Sequence, residues 1–147
     1  MRTVVQRVSE ASVEVEGKTI ASIGRGILLL AAFRTGDNSA DLDWMARKCL
    51  ELRIFEDDAG KMNLSVMETG GEVLVVSQFT LYGNCRKGRR PAYTDSAPGP
   101  EALRLYREFV DNVSAKWPKT AEGEFGAMMK INLVNDGPVT LIVDREM

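Results

Sequence analysis

The first third of the chain has the alternating hydrophobic and polar pattern that is typical of β-strands. Valines recur among polar residues with a partial period of two at Val4, Val8, Val13 and Val15. Gly17-Lys18 then predicts a turn, and residues 19–23 predict a returning strand. The next segment, Ile27–Phe33, is apolar at every position, which is typical of a central strand covered on both faces.

Two later segments have the spacing of amphipathic helices. Asp37-Asn38-Ser39 offers N-cap residues for the first helix. Its predicted apolar face consists of Leu42, Met45, Ala46, Cys49 and Leu52. The second helix is predicted to follow Pro98-Gly99-Pro100 and to end at Pro118. Its predicted apolar face consists of Leu103, Tyr106, Phe109, Val110 and Val113.

The remaining segments complete the prediction of one sheet with about two long helices. Further strands are predicted at residues 53–56, 73–76, 127–134 and 139–143. A long polar loop is predicted from Gly83 to Pro100. Because the sequence has no internal repeat and no sign of a second domain, we expect a single compact domain, residues 1–147, of the α/β or α+β class. Its sheet is expected to be mixed and largely antiparallel, or barrel-like.

The composition is that of an ordinary globular protein with no strong charge bias. The formal net charge of the 147 residues is -2, so a surface for nucleic acid would have to be a local patch. Cys49 and Cys85 are far apart and indicate neither a disulfide framework nor a zinc site. Neither a signal peptide nor an apolar run of membrane-spanning length is recognised. We therefore expect a cytoplasmic protein without a membrane partner.

The absence of histidine restricts the chemistry. No histidine occurs in the sequence, which excludes Ser-His and Cys-His catalysis and histidine-ligated metal sites. An enzyme with this sequence would act by positioning its substrate and by backbone electrostatics, or with an unusual base.

Two segments are candidates for binding at the sheet. Ser77-Gln78-Phe79-Thr80-Leu81 follows a buried strand, and open α/β sheets bind ligands at the C-terminal ends of their strands. The alternative interpretation is a strand that ends in polar residues. Asn135-Asp136-Gly137-Pro138-Val139-Thr140 predicts a hairpin turn, because Asn, Asp, Gly and Pro are turn formers. A proline at the start of a strand removes a donor, so a cis Gly–Pro bond is the alternative.

Two other segments suggest a phosphate contact and a pocket wall. The cations Arg86, Lys87, Arg89 and Arg90 occur within five residues of the polar loop. They indicate either contact with phosphate or a solvated loop. Phe125-Gly126-Ala127-Met128-Met129 indicates core packing at the start of a strand, or an adaptable pocket wall.

Together these motifs resemble those of the D-aminoacyl-tRNA deacylase family. The matching segments cover nearly the whole chain and are Val4–Val8, Leu52–Asp57, Gly60–Ser65, Val76–Leu81, Lys87–Pro91, Phe125–Met129 and Leu133–Thr140. The Ser-Gln-Phe-Thr and Asn-x-Gly-Pro-Val-Thr motifs are the most specific of them. The resemblance implies hydrolysis of the ester bond of D-aminoacyl-tRNA. We also expect Gly-tRNA as a substrate, because glycine has no side chain that a filter against L-residues could reject. The resemblance implies no metal, no organic cofactor and no DNA partner.

The resemblance also implies roles for individual residues in a homodimer with active sites at the subunit interface. The pocket for the aminoacylated 3′ adenosine would be lined by Ser77, Gln78, Phe79 and Thr80. Gly137-Pro138 would be a cis dipeptide that enters the partner's site and rejects L-residues. Phe125 and Met129 match residues near the pocket, and Arg7 matches a residue that braces the Gly–Pro segment. Separately, the clustering of Arg86, Lys87, Arg89 and Arg90 in an otherwise balanced chain suggests that the basic loop contacts tRNA phosphates.

Two other functions remain open from the sequence. A non-catalytic tRNA-binding module on the same fold would keep the basic loop without a precise pocket. A general esterase would use Thr80 or Cys85 as its nucleophile. Because no histidine is present to activate a threonine hydroxyl, we favour a positioning role for Thr80 over nucleophilic attack.

Overall fold

One long strand, β1, organises the sheet in the computed structural model, which describes residues 1–145. In chain order the elements are β1 (Arg2–Val15), β2 (Lys18–Ile23), β3 (Gly26–Ala32), α1 (Ser39–Glu51), β4 (Phe55–Glu56), β5 (Met62–Leu64), β6 (Glu72–Ser77), a 3₁₀ helix (Phe79–Tyr82), α2 (Gly99–Lys116), β7 (Thr120–Glu122) and β8 (Met129–Asp144). No helix in this part of the chain is long and apolar enough to cross a membrane.

The main sheet is mixed and largely antiparallel, as the sequence predicted. Its strand order is β2-β1-β3-β6-β7, and β8 also pairs with β1. β1 is antiparallel to β2, β3 and β8, whereas β3–β6 and β6–β7 are parallel pairs. β4 and β5 form a separate antiparallel pair. The predicted class, α+β with two long helices, is confirmed.

The prediction of a strand covered on both faces is confirmed for β3, whose alternate residues enter two different hydrophobic clusters. Leu29 belongs to the cluster that β3 shares with α1 and α2. Leu28 belongs to a second cluster on the opposite face, with Val8, Val13 and Leu74. Successive side chains of a strand point to opposite faces, so a strand between two such clusters has no polar position.

Both helices begin and end close to the predicted residues. Asn38 caps α1 through its side chain, and Asp41 completes a capping box. Leu52 is the C-cap of α1 and no longer part of the helix. In α2, Leu105 is fully buried whereas Leu103 is only partly buried, so the packed face is rotated slightly from the predicted one. Cys49 lies in the core without a disulfide partner, and burial raises the pKa of its thiol to about 12.

The prediction of two strands joined by a turn near the C-terminus is wrong. β8 is one strand that starts at Met129, not at residue 127, and pairs with β1 on both sides of the Gly–Pro segment. Gln6 pairs with Thr140 and Val8 with Asn135, so the single residue Arg7 of β1 faces residues 136–139. The turn formers therefore build a wide bulge in one strand, because the residues on both sides of them share β1 as their partner.

Candidate functional site

Ser77 to Thr80 lie where β6 ends and the chain turns into the 3₁₀ helix. The backbone N–H of Gln78 donates to Ala31 O at 2.8 Å, which extends the contact with β3 by one residue. After this point the chain leaves the sheet, and Phe79 is 54% exposed. Because β3 and β6 are parallel neighbours, this segment occupies the edge where C-terminal strand ends meet.

The Thr80 hydroxyl is held by the side chain of its neighbour. Gln78 Nε2 donates a hydrogen bond to Thr80 Oγ1, and both groups are open to solvent. An amide N–H is a donor and does not remove a proton from a hydroxyl, so Gln78 orients Thr80 without activating it. This contact favours the positioning role over the nucleophilic one.

The N–H groups of Phe79 and Thr80 are two backbone donors in the same segment as this hydroxyl. The N–H groups of Leu81 and Gly83 donate to Gln78 O at 3.2 Å and to Thr80 O at 2.9 Å. Within residues 1–145, no hydrogen-bond acceptor is found for the N–H of Phe79 or Thr80. The segment thus carries a hydroxyl held by a hydrogen bond and two N–H groups without an acceptor in the described part of the chain.

The basic loop extends from the residues that pack on Phe79. The Tyr93 ring packs edge-to-face on the Phe79 ring, with 5.1 Å between the ring centroids. Ser96 Oγ donates to Phe79 O at 3.3 Å. Asn84 and Ala92 exchange backbone hydrogen bonds of 2.7 and 3.0 Å and close the base of the loop. Its exposed tip carries Arg86, Lys87, Arg89 and Arg90. The sequence analysis missed Tyr93 and Ser96, because only the folded loop brings them to Phe79.

The Gly–Pro segment is an exposed bulge with a cis Gly137–Pro138 bond. Asn135 closes the bulge from its own side chain: Oδ1 accepts from Val139 N at 3.1 Å, and Nδ2 donates to Thr140 Oγ1 at 2.7 Å. The motif Asn-x-Gly-Pro-Val-Thr therefore contains the hydrogen bonds that hold its own backbone in place.

Arg7 attaches this bulge to the body of the protein. Its buried guanidinium donates from Nε to Asp136 O at 3.0 Å and from Nη1 to Ile54 O at 2.6 Å. A Cβ at Gly137 would lie 2.9 Å from Arg7 Nη2, and the φ of Gly137 is 127°. Only glycine meets both conditions without strain.

Phe125 and Met129 lie beside the second half of β6. The Phe125 ring contacts the Tyr106 ring at 5.5 Å, and Tyr106 donates from its hydroxyl to Val75 O at 3.2 Å. Burial raises the pKa of Tyr106 above its ordinary value, so the hydroxyl stays protonated as a donor. Met129 packs against the second hydrophobic cluster, the one that contains Leu28 and Leu74. Its Sδ lies 2.9 Å from the position that a Cβ at Gly123 would take.

The two predicted halves of the site are not adjacent in one chain. Ser77 of β6 pairs with Ala31 of β3, which pairs with Thr3 of β1. The bulge of β8 lies opposite Arg7, four residues further along β1. Four residues along a strand measure about 13 Å, and the three strand spacings from β6 to β8 measure about 14 Å. Within one chain, Ser77 and the Gly–Pro bulge are therefore on the order of 15–20 Å apart.

No group of His, Cys, Asp or Glu side chains within residues 1–145 is arranged to hold a metal ion. Cys85 is exposed and not part of a disulfide. Its sulfur lies 3.9 Å from Gly83 O.

Comparison with known proteins identifies the family. The family model described as D-Tyr-tRNA(Tyr) deacylase matches residues 4–144. The chain belongs to this family. A D-aminoacyl-tRNA deacylase of Geobacter sulfurreducens is 58% identical to this deacylase-family chain over 146 residues, covering 99% of this chain and 96% of the relative. One of Thermosipho africanus is 55% identical, covering 99% and 98%.

Two solved structures share the fold of this deacylase-family chain. The structure named c-Myc DNA Unwinding Element Binding Protein superposes with a TM-score of 0.95 at 40% identity, and the match covers 100% of both chains. A structure described as a probable eukaryotic D-amino acid tRNA deacylase has a TM-score of 0.88 at 19% identity, covering 98% of both chains. At 19% identity this second likeness concerns the fold alone.

Proposed function

We propose that the protein hydrolyses the ester bond of D-aminoacyl-tRNA and releases the free D-amino acid and tRNA in the cytoplasm. The observation that carries this proposal is the Ser77–Thr80 segment, which combines the hydroxyl of Thr80 with two N–H donors that have no acceptor within residues 1–145. Membership of the D-Tyr-tRNA(Tyr) deacylase family supports tRNA as the partner and the ester as the bond that is cleaved.

The proposed chemistry needs little from the protein beyond placement. An aminoacyl ester is already activated, and its ribose carries a neighbouring hydroxyl that can assist. Donors fixed at the position of the developing oxyanion stabilise the transition state, and losing one typically costs about 3–4 kcal/mol. The N–H groups of Phe79 and Thr80 are the proposed donors, and Thr80 Oγ1 is proposed to orient water or the ribose. A chain without histidine can supply each of these parts.

We further propose that the active unit is a homodimer in which the partner supplies the Gly–Pro bulge. The separation of the bulge from Ser77 within one chain supports a pocket made of two chains. The outer edge of β8 also suits contact with a second copy: within the described residues β8 pairs only with β1, and Ile142 on it is 71% exposed.

In this pocket the bulge is proposed to select the chirality of the substrate. Gly137 has no side chain and Pro138 has only a ring, so the bulge offers a substrate mainly its backbone. Backbone atoms held rigidly by Arg7 and Asn135 beside the substrate's α-carbon would collide with an L-side chain and leave space for a D-side chain. Glycine has no side chain to reject, so Gly-tRNA is expected to be cleaved as well. Phe125, Met129 and Arg7 are proposed to shape this pocket.

The test of the proposed function is deacylation of three charged forms of tRNA. Release of free amino acid should be fast from D-Tyr-tRNA and absent from L-Tyr-tRNA. Release from Gly-tRNA should be measurable. Equal rates with D-Tyr and L-Tyr would contradict a chirality filter. Absence of release from all three, with tRNA bound, would contradict deacylation.

The second candidate is nucleic-acid binding without turnover. The relative with a TM-score of 0.95 is named for binding a DNA unwinding element, and the exposed basic loop suits phosphates of either nucleic acid. We do not expect DNA to be a partner, and competition between single-stranded DNA and tRNA in the same assay decides this. A general esterase is distinguished by covalent inhibitors directed at Thr80 or Cys85, which would inactivate it.

A further inference from the structure

An open cleft of about 920 Å³ lies beside the 3₁₀ helix, at its Tyr82 end. Its walls come from three parts of the chain: Arg2 at the start of β1, Arg34 just after β3, and the loop residues Arg86 and Asp95. The cleft therefore borders the same strand ends that position Thr80. Of the residues that the sequence analysis considered as functional, Cys85 and Arg86 line it, and neither role accounts for its walls at Arg2 and Arg34.

The charge that lines this cleft is mainly positive. Three arginines line it, Arg2, Arg34 and Arg86, together with one acidic residue, Asp95. Arg2 Nε donates to Asp144 Oδ2 at 2.9 Å, and Arg2 Nη1 donates to Leu81 O at 3.1 Å. These contacts fix the guanidinium of Arg2 at the edge of the cleft, where it contributes positive charge.

Arg34 is less firmly engaged. Its Nε is 3.9 Å from Asp37 Oδ1, which is too long for a hydrogen bond. Asp37 is occupied elsewhere, because Oδ1 accepts from the α-amino group of Met1 at 2.7 Å and Oδ2 from the N–H of Arg34 at 2.9 Å. The Nε of Arg34 is buried and has no hydrogen-bond partner within residues 1–145.

Tyr82 provides a second, independent unsatisfied donor. Only 9% of this residue is exposed, and in the described part of the chain its hydroxyl has no hydrogen-bond partner. The guanidinium of Arg2 lies over its ring at 5.1 Å. Burial, assisted by the carboxylates of Asp37 and Asp144, raises the pKa of Tyr82 above its ordinary range, so the hydroxyl remains a donor. Buried polar groups are normally hydrogen-bonded, so two unpaired donors beside one cationic cleft indicate a site for an acceptor-rich anion.

We propose that this cleft binds a phosphate group of the single-stranded 3′ end of the tRNA, on the 5′ side of the terminal adenosine. This inference rests on the proposed function, because it assumes that the ester lies at Thr80. Tyr82 is two residues from Thr80, so their Cα atoms are at most about 8 Å apart. A strand whose end reaches Thr80 can therefore pass the cleft. Guanidinium groups match the geometry of phosphate oxygens, and the buried donors of Arg34 and Tyr82 lack a partner among the described residues.

The first experiment compares two substrates that differ in their phosphates. D-Tyr-tRNA carries the phosphates of the acceptor end, whereas 2′(3′)-O-D-tyrosyl adenosine carries the same ester and none. Arg34→Gln and Tyr82→Phe should each lower kcat/KM for D-Tyr-tRNA about tenfold or more, as expected for lost hydrogen bonds to a charged group. The Arg34 variant should also flatten the salt dependence by about 0.7 per contact. Cleavage of the adenosine ester should change less than about twofold. The matched control is Arg104→Gln on α2, whose side chain is 60% exposed.

Asp95 allows a test of opposite sign. Removing its negative charge with Asp95→Asn should raise kcat/KM for D-Tyr-tRNA and leave the adenosine ester unchanged. Equal losses on both substrates for Arg34→Gln and Tyr82→Phe would show a merely structural role and overturn the proposal. Unchanged kcat/KM for D-Tyr-tRNA in both variants would overturn it too.

A binding measurement separates this site from the catalytic claim. An uncharged RNA hairpin with a single-stranded CCA end is titrated with wild-type protein and with Arg34→Gln, and anisotropy reports the affinity. Weaker binding of the variant supports the cleft even if no ester is cleaved. Inorganic phosphate, compared with KCl at equal ionic strength, identifies the source of the anion. If phosphate binds the wild type alone while both proteins bind RNA equally, the cleft serves free phosphate and the proposal fails.

Discussion

Arg7 Nε donates to the carbonyl oxygen of Asp136 at 3.0 Å, at a position where one residue of β1 faces a four-residue bulge of β8. The same guanidinium donates to Ile54 O at 2.6 Å. One buried side chain therefore joins the exposed Gly–Pro bulge to the body of the protein. A rigid backbone is what a steric filter for chirality requires.

Replacing Arg7 with lysine should weaken this filter. A lysine ammonium is a point charge on a flexible stem and cannot hold two carbonyl groups in the geometry of a guanidinium. We expect Arg7→Lys to lower the ratio of kcat/KM for D-Tyr-tRNA to that for L-Tyr-tRNA about tenfold or more. The free energy of unfolding should fall by about 1–3 kcal/mol, because a buried acceptor is left unpaired. Arg104→Lys at an exposed site is the control, and an unchanged D/L ratio in Arg7→Lys would contradict the bracing role.

The role of Thr80 can be tested by removing its hydroxyl. If Thr80 positions water or ribose, Thr80→Ala should lower kcat roughly 10–100-fold, and Thr80→Ser should recover most of it. Loss of a true nucleophile typically costs about 10⁶-fold. Single-turnover measurements on D-Tyr-tRNA provide the rate, and mass spectrometry of quenched reactions should find no aminoacylated protein. An acyl-Thr80 adduct, or a loss near 10⁶-fold, would identify Thr80 as the nucleophile.

The basic loop should act through charge. Replacing Arg89 and Arg90 with glutamine should raise KM for tRNA with little change in kcat, since both side chains lie on the exposed tip. The dependence of log KM on log salt should flatten by about 0.7 for each single-strand phosphate contact that is lost. The matched control neutralises Arg104 and Arg107 on α2. A salt dependence equal to that of the wild type would remove the loop from the tRNA interface.

A fourth prediction concerns the sheet that supports the site. A Cβ at Gly26 would lie 1.8 Å from the backbone oxygen of Glu72 on β6, so β3 and β6 would have to separate. Gly26→Ala should therefore lower the free energy of unfolding by more than about 3 kcal/mol. Gly99→Ala is the matched control, because nothing lies within 4 Å of its Cβ position. Similar denaturation midpoints for the two variants would show that the sheet yields easily at Gly26.

The parts of the fold that sequence predicts well are those set by local patterns. Ile27–Phe33 is apolar throughout because β3 is covered on both faces, and Asn38 is a recognisable cap because its side chain bonds within its own turn. The turn after β1 is displaced by one residue: Glu16 and Gly17 have positive φ, and Lys18 already belongs to β2. Such shifts of one residue do not change the pairing of the strands.

The failures come from contacts between distant segments. The hairpin expected around Gly137 depends on local turn preference, whereas the observed bulge depends on β1 pairing with both ends of β8. Leu105 replaces Leu103 in the core, because the rotation of α2 is set by its packing and not by its own sequence. The cleft at Arg34 and Tyr82 exists only because β3 and β6 are neighbours in the sheet. No local pattern predicts these arrangements.

The central claim is that one active site combines Thr80 of one chain with the Gly–Pro bulge of another. Two strongly impaired variants test it: Thr80→Val, which replaces the hydroxyl with a methyl group, and Gly137→Val, which adds a side chain where even a Cβ would lie 2.9 Å from Arg7 Nη2. The measurement is the rate of D-Tyr release from D-Tyr-tRNA after the two variants are mixed one to one, unfolded and refolded together, with heterodimers counted by native mass spectrometry. Half of the dimers should be mixed, and each should hold one intact pocket out of two, which predicts about a quarter of wild-type activity for a symmetric dimer. If heterodimers are present and the mixture is no more active than the sum of the separate variants, the account is contradicted. A fully active wild-type monomer would also contradict it.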